Sequence, residues 1–427
     1  MVIGIGRVGL PLALFLAEKG FDVVGVDTDA KKISKIQRKV MPFLEEGAGE
    51  LLKKNYGKSF RAIHETFLDA VVRDASYVIV TLGTPLNDTY GPDLSQVEGL
   101  FKKLIPNLTK GQTIILRSTI SPGTTELLSR KMQDSGYNVG KDIFLAYCPE
   151  RISEGRSIEE LGEIPQIIGA PDKKSGLKAK ELFSKISPII LLTDPRSAEL
   201  AKLYSNMYRY IDFAIGNEFM MIAEDHNRDI YEILHLVNNG YKRAGLKPPG
   251  FTAGPCLVKD GFFLIDKGPY LELVTAAWRI NENVPGFLVE KIRLLEPSLN
   301  GKKVAILGLS FKKNIDDTRY SLSYKLERHF LSEGAEVFKH DPYVDSSGLS
   351  EVLKKADVLV ISINHDKFKS LSVDEIKKLF KKECIVCDIW NMLGVGKILF
   401  RLKGLDVSSK SIINNKKRIK SKSSKNK

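Results

Sequence analysis

Three glycines, Gly4, Gly6 and Gly9, restrict this chain more than any other feature, because they sit in the run VIGIGRVGLPLALFLAEKG. A short apolar strand leads directly into G-x-G-x-x-G, and the apolar residues behind it recur at helical spacing. The chain must therefore turn tightly from strand to helix and pack the two closely. The alternation continues through FDVVGVD, YVIVTL, QTIILRST and IFLAYC, read as strands, with VEGLFKKLIPNL between them as a helix. Strands alternating with helices predict a parallel, doubly wound sheet. From Ser197 to Asn239 the pattern becomes one long helical stretch. A second alternating region then follows in KKVAILGLSF, AEVFKHD, DVLVISI and ECIVCDIW, broken by the helical YKLERHFLSEG and VDEIKKLF. The expected fold class is α/β, two Rossmann-like doubly wound lobes joined by a long central helix. The expected domains are 1–193, 194–298 and 299–407, with a basic, disordered tail over 408–427. Only Met1, Val2 and Ile3 precede Gly4, so the first strand must be short.

The net charge of +13 would fit a nucleic-acid partner only if it were spread over a folded face. Lys410 to Lys427 hold eight Lys or Arg and no acid, which leaves +5 for the rest. That tail is poor in apolar residues and reads as a solvated segment, so no nucleic-acid partner is expected. No apolar run approaches the ~20 residues that span a bilayer, and no basic leader precedes an apolar stretch and cleavage site. A cytoplasmic protein without membrane insertion is expected.

Asp27 ends the strand FDVVGVD, near the ~20-residue offset at which a carboxylate bonds the ribose diol of a dinucleotide. An acid there favours NAD over NADP, whose 2′-phosphate it would repel. The turn Gly4, Gly6, Arg7, Val8 and Gly9 would present its backbone to the pyrophosphate. Of four cysteines, Cys384 and Cys387 mimic CxxC, but in ECIVCDIW they read as opposite faces of a buried strand, so no metal or redox pair is read there. Cys148 reads as a small buried residue. Cys256, in GFTAGPCLVKD, lies between a glycine-rich loop and a Lys-Asp pair. A thiol so placed can attack an aldehyde, and the thiohemiacetal can lose a second hydride to become a thioester. Lys259, or a lysine from elsewhere in the fold, would favour the thiolate.

At this point the sequence resembles the UDP-glucose/GDP-mannose dehydrogenase family, from Met1 to about Asp406. The ordered blocks are GIGRVGLP, TLGTP with GPDLS, RSTISPGTT, CPERISEG, AELAKLYSN, AGPCLVKD, LGLSFKKNIDDTR, DPYV and DIWN. The resemblance implies an NAD-dependent nucleotide-sugar 6-dehydrogenase making a polysaccharide precursor. Cys256 matches the nucleophile. Lys202 and Asn206, four apart on one helix face, match the pair that stabilises oxyanion charge. Asp260, Thr119 and Glu150 match residues that place and activate water, with Glu150 as general base for thioester hydrolysis. Thr84, Glu154 and Arg319 match contacts near the nicotinamide, as does Thr119. Phe311 and Lys312 match the substrate side, together with Glu150, Lys202 and Asn206. Gly250 and Phe251 belong to a loop, 247–253, that wraps the nucleotide-sugar, and Arg243 is a candidate for reaching a neighbouring subunit's substrate. The long helix would pack against its counterpart in a homodimer or higher homo-oligomer.

Where many relatives carry an aromatic residue in the glycine turn, this chain has Arg7. CPERISEG and EELGEIPQIIG resemble the branch acting on UDP-N-acetylhexosamines, whereas the Lys-Asp after Cys256 is closer to the UDP-glucose and GDP-mannose branch. The balance leans to a UDP-N-acetylhexosamine such as UDP-N-acetylglucosamine or UDP-N-acetylmannosamine, with UDP-glucose next. Bland readings compete: Lys202 and Asn206 as a solvated helix face, Glu150 and Glu154 as a helix cap, and Arg319 with Asp316 and Asp317 as a surface ion-pair cluster. Three other functions compete: a two-electron β-hydroxyacid dehydrogenase, which needs neither the cysteine nor the second lobe, a non-catalytic nucleotide-sugar binder, and an RNA-binding role through the basic tail.

Overall fold

The computed structural model describes residues 1–265, 272–345, 347–371, 376, 378–381 and 383–403. The tail 408–427 and half of the predicted helix VDEIKKLF, residues 373–375 and 377, lie outside these residues. The chain forms two compact units, Met1–Met207 with Lys259–Tyr270, and Tyr208–Val258 with Leu271–Lys427. The long helix Pro195–Asp225 runs from the first into the second.

The first unit is built on eight strands: β1 (Val2–Ile3), β2 (Val23–Asp27), β3 (Phe60–His64), β4 (Tyr77–Val80), β5 (Thr113–Leu116), β6 (Phe144–Tyr147), β7 (Gln166–Gly169) and β8 (Ile190–Thr193). Their order is β3-β2-β1-β4-β5-β6-β7-β8, parallel except for the single pairing of Tyr147 with Gly169. The order reverses between β1 and β4, and ligands of open α/β sheets bind outside the strand ends at such a switch point. The two-residue β1 lies at the centre of the sheet, paired with β2 and β4. Val2, Ile5, Ile79 and Ile115 pack on one face, while Ile3, Val78, Val80 and Ile114 pack on the other. Such burial on both faces is what continuous apolar runs, rather than alternating ones, produce. Each fully buried Val, Leu or Ile contributes about 1.5–3 kcal/mol of hydrophobic stabilisation.

The second unit carries β9 (Lys303–Leu307), β10 (Glu336–His340), β11 (Val358–Ile361), β12 (Ile385–Cys387) and β13 (Leu399–Arg401). The order β10-β9-β11-β12-β13 is parallel up to the antiparallel β13, and its switch point lies between β9 and β11. Both faces are again covered, and Cys387 and Cys384 fall in opposite core layers, as the strand reading requires.

The structure departs from the sequence reading in two places. The helical pattern over Ser197–Asn239 is broken after Asp225, because Asn227 adopts a left-handed conformation with φ 53°. A new helix, Ile230–Asn238, then starts on Asp229, whose side chain accepts from Tyr231 N. Strands β3, β7, β8 and β13 were not predicted. Among the described residues no helix is long and apolar enough to cross a membrane.

Candidate active site

At the β1–β4 switch point the glycine turn has the tight geometry its spacing predicts. A Cβ on Gly9 would overlap the carbonyl of Gly4 and the hydroxyl of Thr81, whereas one on Gly6 would meet nothing within 4 Å. Gly9 is thus needed for packing, and Gly6 leaves open the approach a pyrophosphate requires. Thr81 Oγ1 secures the turn by donating to Gly4 O at 2.7 Å. A cavity of about 520 Å³ opens beside it, lined by Gly4, Gly6, Asp27, Lys32, Glu65 and Lys103 among others. Asp27 closes β2 in that cavity, its Oδ1 accepting from Asp29 N at 3.0 Å and its Oδ2 from Lys32 Nζ at 2.8 Å. Lys32 was missed by the sequence reading, although D-x-x-x-x-K places it one turn into the helix after β2. Arg7 lies over the ring of Phe43, 5.0 Å from its centroid, and Val8 is the N-cap of the helix Gly9–Glu18.

The same unit gathers Lys202, Asn206 and Asp260. They are 7%, 9% and 0% exposed, so the reading of Lys202 and Asn206 as a solvated face fails. Asn206 Nδ2 donates to Asp260 Oδ2 at 2.6 Å. Asp260 Oδ1 is buried and accepts no hydrogen bond among the described residues, which leaves one carboxylate position for an incoming donor. Lys202 forms no ion pair among the described residues. A buried ammonium so placed suits an anion, since burying a charge unpaired is costly. The amine of Lys259 donates to Thr84 O at 2.6 Å and lies at 3.2 Å from Thr84 Oγ1. Thr119 is half-buried just beyond the end of β5.

Glu150 does not fit a general base in this arrangement. One oxygen accepts from Arg117 Nε at 3.1 Å and also from Arg117 Nη2. The other accepts from the amides of Arg151 and Ile152 at 2.8 and 3.1 Å. All four acceptor directions of the carboxylate are filled. Nor does Glu150 cap a helix, since the next helix starts only at Ser157. Arg117 is completely buried, reaches Gln166 Oε1 at 3.1 Å and stacks on Phe183. Glu154 is half-buried in a turn held by the missed Glu45, which accepts from Gly155 N and Ser157 N at 2.9 and 2.7 Å.

In the second unit, Cys256 follows the loop Gly250–Gly254 and directly precedes the short helix Leu257–Asp260. It is exposed, whereas Cys148, Cys384 and Cys387 are buried. Burial pushes the Cys148 thiol up to about 12 and that of Cys387 well above its usual range, so neither is a nucleophile at neutral pH. The loop is packed from below. A Cβ on Gly250 would run into the ring of Trp390, and one on Gly254, where φ is +106°, would lie 2.6 Å from the Phe311 ring. Gly250 N donates to Asn217 Oδ1 at 2.9 Å, and Asn217 is itself held by Asn281 at 2.8 Å. Asn217, Asn281 and the contact of Trp390 were not read from the sequence, since nothing local marks them. Phe251 is 4% exposed and belongs to the core, so its ring anchors the loop. Lys312 is half-buried, with its carbonyl accepting from Ser310 Oγ at 2.8 Å. Arg319 makes a bidentate pair with the buried Asp317, the ion pair that the bland reading foresaw. Arg243 lies over Tyr241 at the rim of an apolar groove of about 740 Å³.

Three stretches of the chain match the sequence models of the NAD binding, central and UDP binding domains of UDP-glucose/GDP-mannose dehydrogenases, over residues 1–187, 196–283 and 305–395. Over 405 residues, 92% of either chain, it is 34% identical to the UDP-N-acetyl-D-mannosamine dehydrogenase of Methanocaldococcus jannaschii. The chain belongs to the UDP-glucose/GDP-mannose dehydrogenase family. Among solved structures it resembles the UDP-D-ManNAc dehydrogenase of Pyrococcus horikoshii, with a TM-score of 0.85 and 32% identity over 92% of this chain and 96% of that one. The UDP-N-acetyl-mannosamine dehydrogenase of Staphylococcus aureus follows with a TM-score of 0.81 and 29% identity over 92% and 94%. As a member of this family the protein is an NAD-dependent oxidoreductase, a nucleotide-sugar dehydrogenase. The open space at Gly6 and the carboxylate of Asp27 fit that cofactor.

Proposed function

We propose that this enzyme oxidises the C6 alcohol of a UDP-N-acetylhexosamine to the uronic acid in two hydride transfers, through a thioester on Cys256, as a step towards a polysaccharide precursor. The observation that carries the reading is that Cys256 alone of four cysteines is exposed, immediately ahead of the helix that ends in Asp260. The substrate class is supported by the names of the relatives at 30–34% identity, which are UDP-N-acetyl-D-mannosamine dehydrogenases. UDP-glucose is the next candidate, because of Lys259 and Asp260.

NAD, when bound, accepts a hydride from C6 in each half of the reaction. Lys202 and Asn206 hold the C6 oxygen where negative charge develops. Asp260, with one carboxylate oxygen open, takes the hydroxyl proton directly or through a water. The Cys256 thiolate adds to the aldehyde carbon, forming a C–S bond and a thiohemiacetal that cannot diffuse away before the second hydride leaves. Water then attacks the thioester, its proton passes to Asp260, and the thiolate departs. In sum, alcohol, two NAD and one water give carboxylate, two NADH and three protons. Glu150, with its acceptor positions filled, holds the wall of the site through Arg117. Thr119 orients the water, Thr84 and Glu154 border the nicotinamide, Phe311 and Lys312 grip the nucleotide-sugar, and Arg319 steadies their loop.

The domains are assigned as NAD binding over 1–193, central over 194–298 and UDP binding over 299–407. The enzyme is further assigned as a cytoplasmic homodimer formed along the long helix. The groove beside Arg243 exposes Ile215, Phe219, Ile222 and Val237, an apolar surface of the sort that marks an interface.

The deciding measurement follows NADH with UDP-N-acetylmannosamine, UDP-N-acetylglucosamine, UDP-glucose and GDP-mannose supplied separately. Two NADH per sugar are expected with a UDP-N-acetylhexosamine, and none accumulates in Cys256→Ala beyond the aldehyde level. One NADH per sugar in the intact enzyme would reject the thioester.

A further inference from the structure

The loop after β9 is held by a cluster that no step above uses. Ser310, Asp341 and His365 are all fully buried, at the β9–β11 switch point where ligand loops converge. Asp341 Oδ2 accepts from Leu309 N at 2.6 Å and Ser310 N at 3.0 Å, and its Oδ1 accepts from Tyr343 N at 2.8 Å. His365 Nδ1 lies 2.9 Å from Asn314 N. A backbone N–H can only donate, so Nδ1 is the unprotonated nitrogen and Nε2 carries the proton. Nε2 then donates to Asp341 Oδ2 at 3.0 Å, with Ser310 Oγ 3.3 Å away. Asn314 takes a left-handed φ of 62°, which asparagine tolerates, and Asp366 N donates to its side-chain oxygen at 3.0 Å. Burial alone would raise the Asp341 carboxyl, but the hydrogen bonds from His365, Leu309 and Tyr343 bring it down to about 2.

Two side chains thus tie the loop at both ends, at Leu309–Ser310 and at Asn314. Between the ties lie Phe311 and Lys312. The Phe311 ring lies where a side chain on Gly254 would project, two residues before Cys256. We propose that the buried Asp341–His365 pair is a positioning device that holds the loop Leu309–Asn314 so that Phe311 seats the Gly254 turn, setting both nucleotide-sugar affinity and the presentation of Cys256. The kinetic part rests on the function proposed above; the geometric part does not. His365 acts through the loop and touches neither substrate nor cofactor.

The test compares His365→Leu with His365→Asn in the full-length enzyme. Asparagine puts an acceptor oxygen at the level of Nδ1 and can recover the tie to Asn314, whereas leucine recovers nothing. For His365→Leu the expectation is a KM for the UDP-sugar raised about tenfold, the size expected when one buried hydrogen-bond partner is lost, with kcat within about threefold and NAD affinity unchanged. Iodoacetamide reads Cys256 selectively, because the other three cysteines are buried, and its rate should change about fivefold in His365→Leu and Phe311→Ala, with His365→Asn near the wild type. If KM and the alkylation rate stay within twofold in His365→Leu, or if His365→Asn is as impaired as leucine, the proposal is overturned. If the wild type turns over no UDP-sugar, the function proposed above fails, and the alkylation rates alone decide on the strut.

Discussion

At the scale of single residues, the site separates into groups with open valences and groups that are spent. Asp260 has a buried oxygen without a hydrogen-bond partner among the described residues, whereas every acceptor direction of Glu150 is taken. The two carboxylates therefore respond differently to neutralisation. Asp260→Asn should lower kcat by about a thousandfold, in the range that general-base and electrostatic groups contribute together, with thermal stability near the wild type. Arg117→Met should instead unfold early, since removing one partner of a buried pair costs about 3–5 kcal/mol. Chemical denaturation paired with NADH assays checks both, and an Asp260→Asn enzyme of normal turnover would end the assignment of the base. Cys256 and the glycine turn stood out in the sequence because each sits in a short run whose local chemistry is unusual, whereas Asp260 was singled out only through the family resemblance. Arg117, Asn217 and Glu45 were not, since their partners lie 33, 64 and 110 residues away and no spacing rule joins them.

Among the elements, the helix Thr124–Asp134 shows how one element sets another. Its N-cap is Gly123, which offers no side chain. Glu199, from the long helix, supplies the missing acceptor by taking bonds from Gly123 N at 2.6 Å and Thr125 N at 2.9 Å, and from the Thr125 hydroxyl. Burial raises the Glu199 carboxyl, and these three donors oppose that shift. Since Lys202 and Asn206 lie on the same helix as Glu199, the cap also fixes where they stand. Glu199→Leu should cost about 2 kcal/mol, the upper range for a lost cap, and should lower turnover as well; unaltered urea midpoints would remove the cap from this role. Three of the unpredicted strands have a common cause. β3, β8 and β13 are sheet edges, and β8 leaves Leu191 and Leu192 half exposed, whereas β7 is an interior, buried strand whose run in EELGEIPQIIG was not read as one. Central parallel strands are buried on both faces and announce themselves as apolar runs; short edge strands carry too little of that signal.

For the whole molecule, the long helix is the piece that both units share, and its described surface beyond Met207 carries exposed Tyr208, Phe219 and Ile222. A dimer formed there should appear in sedimentation velocity, and Phe219→Glu with Ile222→Lys should shift the species to monomer. Deleting 408–427, which holds most of the excess positive charge, should leave both the dimer and kcat/KM unchanged. A monomeric wild type, or activity lost with the tail, would refute the respective part.

Trp390 also carries a consequence for observing this enzyme at work. The chain has two tryptophans, and the ring of one of them lies against Gly250 at the root of the loop that leads to Cys256. Its indole N–H donates to Ser362 O at 2.8 Å, so a displacement of Gly250 would change the surroundings of a fluorophore that is itself anchored. The protein thus contains a built-in optical gauge of that loop, whose emission can be followed on a stopped-flow timescale without any label.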